Sequence, residues 1–208
     1  VTRMDPLYKR LVEINDDYTA ATLPKQVLDA GSKYVGGIMD SSGVPRASHV
    51  ATPAVMACWA CALVSPDSRY YHDPSLLAAF DKAADFMLKR QHPDGTVSLG
   101  STNFNSPPDT AFVVGGVTQM YRLLQRHGWQ EVQPAADKLK LFLQRTIPAM
   151  LTGGRHTPNH RWVLTAALSL LHEIFPVAGA GCPGRGMACR GVGYYRRRGM
   201  DRTQQRHL

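Results

Sequence analysis

The stretch Ser75-Leu76-Leu77-Ala78-Ala79-Phe80-Asp81-Lys82-Ala83-Ala84-Asp85-Phe86-Met87-Leu88, closed by His92-Pro93-Asp94-Gly95, decides the fold class. Leu76, Leu77, Phe80, Ala84, Met87 and Leu88 recur at the spacing that places them on one face of a helix, with Ser75 as its cap. The proline and the Asp-Gly pair then stop it. Working outward, the same pattern returns on both sides. Before it, Thr52 suits a cap, Pro53 a first turn, and Val55, Met56, Trp59, Ala60 and Leu63 a buried stripe that ends at Ser65-Pro66-Asp67. Leu7, Leu11 and Ile14 mark a short first helix.

After it, Ser106-Pro107-Pro108-Asp109 opens a helix carrying Phe112, Val113, Val117, Met120, Leu123 and Leu124 to Gly128. A fifth covers 132–146, with Leu139, Phe142 and Leu143 inward and Pro148 beyond its end. Thr157-Pro158 starts a sixth, with Trp162, Val163, Ala166, Leu170 and Ile174, up to Phe175-Pro176. Six helices and no convincing strand predict an all-α chain of antiparallel α-hairpins over 1–176. Two connections, 31–51 and 92–105, are longer than compact domains usually use, and such loops are commonly functional. The second is rich in hydroxyls and amides, which suits sugar.

The 208 residues carry 24 Lys and Arg against 16 acids, a net charge of +8. Most of that excess sits in 177–208, which has seven Arg, one acid (Asp201) and seven Gly. The rest of the chain is nearly neutral, so nucleic acid is not the expected partner, although an Arg-rich tail contacting phosphate backbones is a third reading. No apolar run approaches the ~20 residues that a membrane span needs, so no membrane partner is expected. Cys58-x-x-Cys61 lies mid-helix in an apolar segment, where small thiols usually pack in a core, and no metal or other cofactor is expected.

The densest polar cluster is Gly153-Gly154-Arg155-His156-Thr157-Pro158-Asn159-His160-Arg161-Trp162, a glycine turn feeding a helix start. Unpaired N–H groups there favour an anion such as a carboxylate. Asn159 and His160 read equally as caps of that helix. Asn159-His160-Arg161-Trp162 ahead of an apolar helix resembles the Asn-His motif in the helical toroids of polysaccharide lyases of the heparinase II/III and alginate lyase type. Gln91-His92-Pro93-Asp94-Gly95-Thr96 resembles the turn that closes inner helices in α/α-toroid carbohydrate enzymes.

The resemblance spans about residues 75–176 and implies a partial (α/α) toroid acting by β-elimination on a uronic-acid-containing polysaccharide. It implies Asn159 as the group that neutralises the uronate carboxylate and His160 as base or co-neutraliser, with His156 and Arg161 assisting. Asn103 and Asn105 read as substrate-binding amides. Such an enzyme would take an acidic polysaccharide or oligosaccharide and no cofactor. An inverting glycoside hydrolase on the same toroid, using Asp94 and Asp109, is the alternative.

The helical pattern stops at Phe175-Pro176. The Arg, Gly and Cys enrichment of 177–208 is what GC-rich codons yield when read out of frame, and a one-base shift over 190–207 permits acidic residues and Trp. A truncated, out-of-frame end is therefore expected, as is a chain that does little catalysis alone: the tyrosine and arginine found further along such toroids have no counterpart here.

Overall fold

The computed structural model describes residues 6–100, 102–154 and 156–176. The reading of 177–208 as an Arg/Gly-rich or out-of-frame tail lies outside them. The described residues form six α-helices and no named strand: α1 (Pro6–Thr22), α2 (Thr52–Val64), α3 (Pro74–Arg90), α4 (Pro107–His127), α5 (Gln133–Thr152) and α6 (Pro158–Ile174). Short 3-10 turns precede the loop after α1 (Leu23–Lys25) and open α5 (Gln130–Val132). No helix among the described residues is long and apolar enough to cross a membrane.

The helices stack in two layers. α4 packs between α2 and α6, while α3 packs on α2 and α5. His72 stacks on Trp129 and meets His127 edge-on, which joins the loop after α2 to the loop after α4. At the other end Gly154 lies against Pro108, and Thr110 at the head of α4 accepts the Val97 N–H. α2, α4 and α6 therefore start at one end and run the same way, and the segments before them (23–51, 91–106 and 153–157) gather there.

The core is one apolar cluster in which Trp59, Phe80, Phe86 and Phe142 are fully buried. The stripes expected in α2, α3 and α5 are the buried ones. The N-caps differ in detail. Ser106 caps α4 as expected, and Gly128 ends it in the left-handed region at φ 71°. Asp73, not Ser75, caps α3 by accepting the Leu76 N–H at 2.7 Å. Thr52 is already helical and turns its hydroxyl to the Ile38 N–H at 3.1 Å.

One helix faces opposite to expectation, one is turned part of the way from it, and one runs longer. In α1, Leu7, Leu11 and Ile14 are 65%, 55% and 50% exposed, and the inward residues are Asp16, Thr19 and Thr22. The cause lies in α2 and the loop after it. The indole N–H of buried Trp59 needs an acceptor and donates to Thr22 Oγ1 at 2.9 Å, while Asp16 takes the Ser68 hydroxyl at 2.5 Å and the Arg69 N–H at 2.9 Å. Buried donors need partners, so α1 docks by its polar face. In α6, Leu164, Ala167 and Leu171 are buried, Val163 and Ile174 of the expected stripe pack partly against the core, and Trp162 is 76% exposed, with α6 packing on α4 and α5. α5 passes through Pro148 to Thr152. The carbonyl left without its i+4 donor belongs to exposed Gln144, where water can serve it.

One device anchors the two long loops. Gln26 Nε2 donates to the Gly36 carbonyl at 2.9 Å and to the Ala79 carbonyl of α3 at 2.8 Å. Gln91 Nε2 donates to the Gly95 carbonyl at 3.0 Å and to the Phe142 carbonyl of α5 at 3.0 Å. Both glycines have positive φ, 86° and 85°, and each sits where a Cβ would overlap a helix carbonyl, that of Lys82 for Gly36 and that of Arg145 for Gly95. Two residues beyond each glycine, a backbone N–H (Ile38, Val97) donates to the hydroxyl of a threonine at the head of the next helix (Thr52, Thr110).

Gly95→Ala combines forbidden φ with overlap, so it should cost at least about 2 kcal/mol in urea unfolding. Leu11→Gln, on the outward stripe of α1, should change stability by no more than about 0.5 kcal/mol. A larger loss from Leu11→Gln than from Gly95→Ala would contradict this division of roles.

Candidate functional site

The loop end collects nearly every polar residue that the sequence marks. Asn159, His160 and Arg161 form the first turn of α6, and His156 is exposed on its approach. Thr157 occupies the cap position without a side-chain cap bond and hydrogen-bonds instead to Asn159 Oδ1. Asn159 and Arg161 are exposed. His160 is half-buried, and its Nδ1 is buried with no hydrogen-bond partner among the described residues. An unsatisfied buried ring nitrogen costs stability and needs an explanation.

Asn103 and Asn105 lie on the loop before α4. Both have left-handed backbones, φ 50° and 49°, which asparagine tolerates better than most residues. Asn105 Nδ2 donates to Asp94 Oδ2 at 3.2 Å, so part of that amide is spent on holding the loop, while Asn103 is exposed. No hydrogen bond among the described residues joins either asparagine to Asn159 or His160.

Asp94 organises this loop. The Thr96 hydroxyl donates to its Oδ1 at 2.7 Å and the Thr96 N–H at 2.9 Å. These bonds, the hydroxyl first, with help from Asn105, hold the carboxyl below its ordinary range. A carboxyl kept ionised is a poor general acid, so Asp94 does not suit the protonating role of a glycosidase.

Between the two anchored loops runs a groove of about 190 Å³, lined by Tyr34, Val44, Pro45, Arg46, Ala47, Arg90, His92, Ser98, Gly100 and Phe104. Sequence reasoning missed Tyr34, Arg46, Arg90 and His92 as a group, since they come from separate segments without a motif. Arg46 reaches across from the first loop to lie over Gly100 of the second. Its Nη2 donates to Ser42 Oγ at 2.8 Å, and its Nε lies 3.6 Å from Asp40. Arg90 stands over the Tyr34 ring at 5.8 Å, and no carboxylate lies within 4 Å of it among the described residues. His92 Nε2 shares a 2.7 Å hydrogen bond with Ser98 Oγ, and Phe104 at the rim is 70% exposed.

The opposite end has a wider depression beside Tyr121, Arg122, Gln125 and Arg126. There Arg122 is already paired with Glu173 at 2.6 Å.

Cys58 and Cys61 correct the expectation of core thiols: Cys58 is half-buried and Cys61 exposed, on the outer side of α2. Burial pushes the Cys58 thiol up, away from the thiolate that redox or metal chemistry uses. Cys182 and Cys189 lie outside the described residues, and the described residues contain no group of three or more His, Cys, Asp or Glu placed to hold a metal ion.

Fold and site together define an all-helical, two-layer protein with a polar, basic loop end. The chain matches no protein-family model, no curated protein and no solved structure.

Because the folded pKa of Asp94 is depressed, its stabilising effect on the loop is present above the ordinary carboxyl range and is lost as pH falls through the folded value. Thr96→Val removes the leading hydrogen bond at little change in volume. In an NMR titration of the Asp94 carboxyl the midpoint should then move up toward the ordinary value, and an unmoved midpoint would show that Thr96 is not the cause.

Proposed function

We propose that this chain is part of a carbohydrate-active enzyme resembling polysaccharide lyases of the heparinase II/III or alginate lyase type, on a partial (α/α) toroid, and that it acts on uronic-acid-containing polysaccharide by β-elimination. The observation that carries the proposal is the first turn of α6, where half-buried His160 has no partner for Nδ1 among the described residues and stands beside exposed Asn159, at the end where the loops gather. The C5 proton of a uronate is a poor acid while its carboxylate is charged. Asn159 and the free N–H groups of the helix start would stabilise the enolate-like charge as it develops, and His160 would take the proton or share in the neutralisation. His156 and Arg161 stand within the same short segment to hold the acidic chain. Asn103 would offer an exposed amide from the neighbouring loop.

The partner in this reading is an acidic polysaccharide, and no step calls on a cofactor. The glycoside hydrolase ranks second because Asp94, its nearest acid, is held ionised by Thr96 and Asn105. The nucleic-acid reading depends on 177–208, outside the described residues.

The test follows the expectation that the end of the chain is out of frame. A version extended through the shifted frame after Pro176, incubated with a polyuronate, should release an unsaturated product that absorbs in the ultraviolet. His160→Ala should lower turnover by about a hundredfold or more, the usual scale for losing a proton-transfer group, with the helical circular dichroism unchanged. Asn159→Ala should lower it by an amount equivalent to about 2 to 4 kcal/mol. Reducing ends formed without unsaturation would point to the hydrolase.

A further inference from the structure

We infer that the groove between the two long loops is a binding subsite for one hexuronate residue, its carboxylate taken by Arg90 and Arg46 and its ring laid against Phe104. The inference rests on the acidic-polysaccharide reading for its ligand class, but it draws on different residues, none of them in the Asn159-His160 cluster.

The charge distribution comes first. The lining contains two guanidiniums and an imidazole and no carboxylate. Lys33 adds a fourth basic group nearby, with its Nζ 5.0 Å from the Tyr34 ring that Arg90 also covers. Asp40 lies 3.6 Å from Arg46 Nε and takes both the Ser42 hydroxyl at 2.5 Å and the Ser42 N–H at 2.7 Å, while Asp94, which interacts with His92, is held by Thr96 and Asn105. Arg90 thus keeps its planar fork of donors, held over an aromatic ring, with no acid within 4 Å among the described residues. A guanidinium in that state is suited to a carboxylate, which it can meet with two parallel hydrogen bonds.

Size and surface narrow the ligand. About 190 Å³ is below the ~300 Å³ at which sites for drug-sized ligands begin, so the groove suits one sugar ring of a longer chain. Val44, Pro45 and Ala47 give it an apolar wall, and Phe104 offers an exposed ring face of the kind that covers the C–H face of a pyranose. His92 and Ser98, already bonded to each other, present polar atoms to ring hydroxyls.

Preorganisation comes from the fold. The loop bearing Tyr34 and Arg46 is fixed through Gln26 and Gly36, and the loop bearing His92, Ser98 and Phe104 through Gln91 and Gly95. Both walls are tied to backbone carbonyls of α3 and α5, so little ordering remains to be done on binding.

The experiment is isothermal titration of the full 208-residue chain with a hexuronate tetrasaccharide and, separately, with the neutral hexose tetrasaccharide of the same linkage. The uronate should bind, more weakly as salt rises, and the neutral sugar should bind at least tenfold less tightly. Arg90→Gln should weaken uronate binding tenfold or more with little change in thermal midpoint, since Arg90 is exposed and forms no ion pair among the described residues. Arg90→Lys should recover only part of it, because it restores charge but not the fork. Phe104→Ala should weaken both sugars alike.

If Arg90→Gln and Phe104→Ala bind the uronate as the parent does, the subsite assignment is overturned while the uronate reading stands. Equal binding of uronate and neutral sugar by the parent overturns both. Arg90-dependent binding in a protein whose extended version yields no unsaturated product would keep the subsite and remove the lyase.

Discussion

The loop end depends on a glutamine side chain that ties a loop carbonyl to a helix carbonyl, next to a glycine too close to that helix to carry a side chain. The arrangement occurs at Gln26 with Gly36 and again at Gln91 with Gly95. Long loops are entropically costly to order, and these tethers add to what Ile38, Ala47 and Val97 contribute by burial. The amide N–H₂ suits the task because its two hydrogens can serve two acceptors at once. The threonines at the heads of α2 and α4 complete each unit by accepting the N–H two residues past the glycine. α1 to α2 and α3 to α4 are therefore two copies of one structural device, although the loops differ in length and share little sequence.

That duplication explains why the groove lies where it does. Each anchored loop stands at the head of a helix in the layer formed by α2, α4 and α6, and adjacent heads place the loops side by side. Arg46 closes the seam by crossing to Gly100, a glycine at φ 103° whose missing side chain leaves room for the guanidinium stem. The third connection is shorter, and its Gly153 and Gly154 lie against Pro107 and Pro108 instead. The result is two polar regions at one end: a basic groove between the first two loops, and the Asn159-His160 turn after the third.

How much of this was legible follows from which interactions leave a local trace. Apolar periodicity does, and α2 through α5 were readable because their neighbours bury them by dispersion and hydrophobic contact. Ser106 and Gly128 were readable because cap chemistry is local. The inward face of α1 was not, since it is chosen by the needs of distant donors on Trp59, Ser68 and Arg69. Pro148 reads as a stop because a proline usually ends a helix, yet its lost hydrogen bond falls on exposed Gln144. The Asn159-His160 turn was legible as a motif. The groove was not, because Tyr34, Arg46, Arg90 and His92 belong to three separate stretches that only the paired anchors bring together. The available signal was the recurrence of a glutamine, then a glycine, then an apolar residue two positions on, ahead of a threonine near a helix start.

The charge balance takes on a different meaning once the folded part is seen. The first 176 residues are nearly neutral, which argues against a protein built to bind polyanions over its whole surface. Yet neutrality of the whole is compatible with strong local separation, and that is what the fold produces. Acids are used where they hold structure: Asp16 on the loop after α2, Asp73 at the cap of α3, Asp81 and Asp85 on Lys138 at 2.8 and 2.9 Å, and Asp94 inside its loop. Arg90 has no such assignment at the groove. Among the described residues no carboxylate lies within 4 Å of Arg90, and with Arg46 and His92 beside it this adds to the attraction of the groove for anions. Selectivity for a charged sugar over a neutral one then needs no large net charge, only that the basic groups of the groove face the ligand while Asp40 and Asp94 stay tied to their own loop partners.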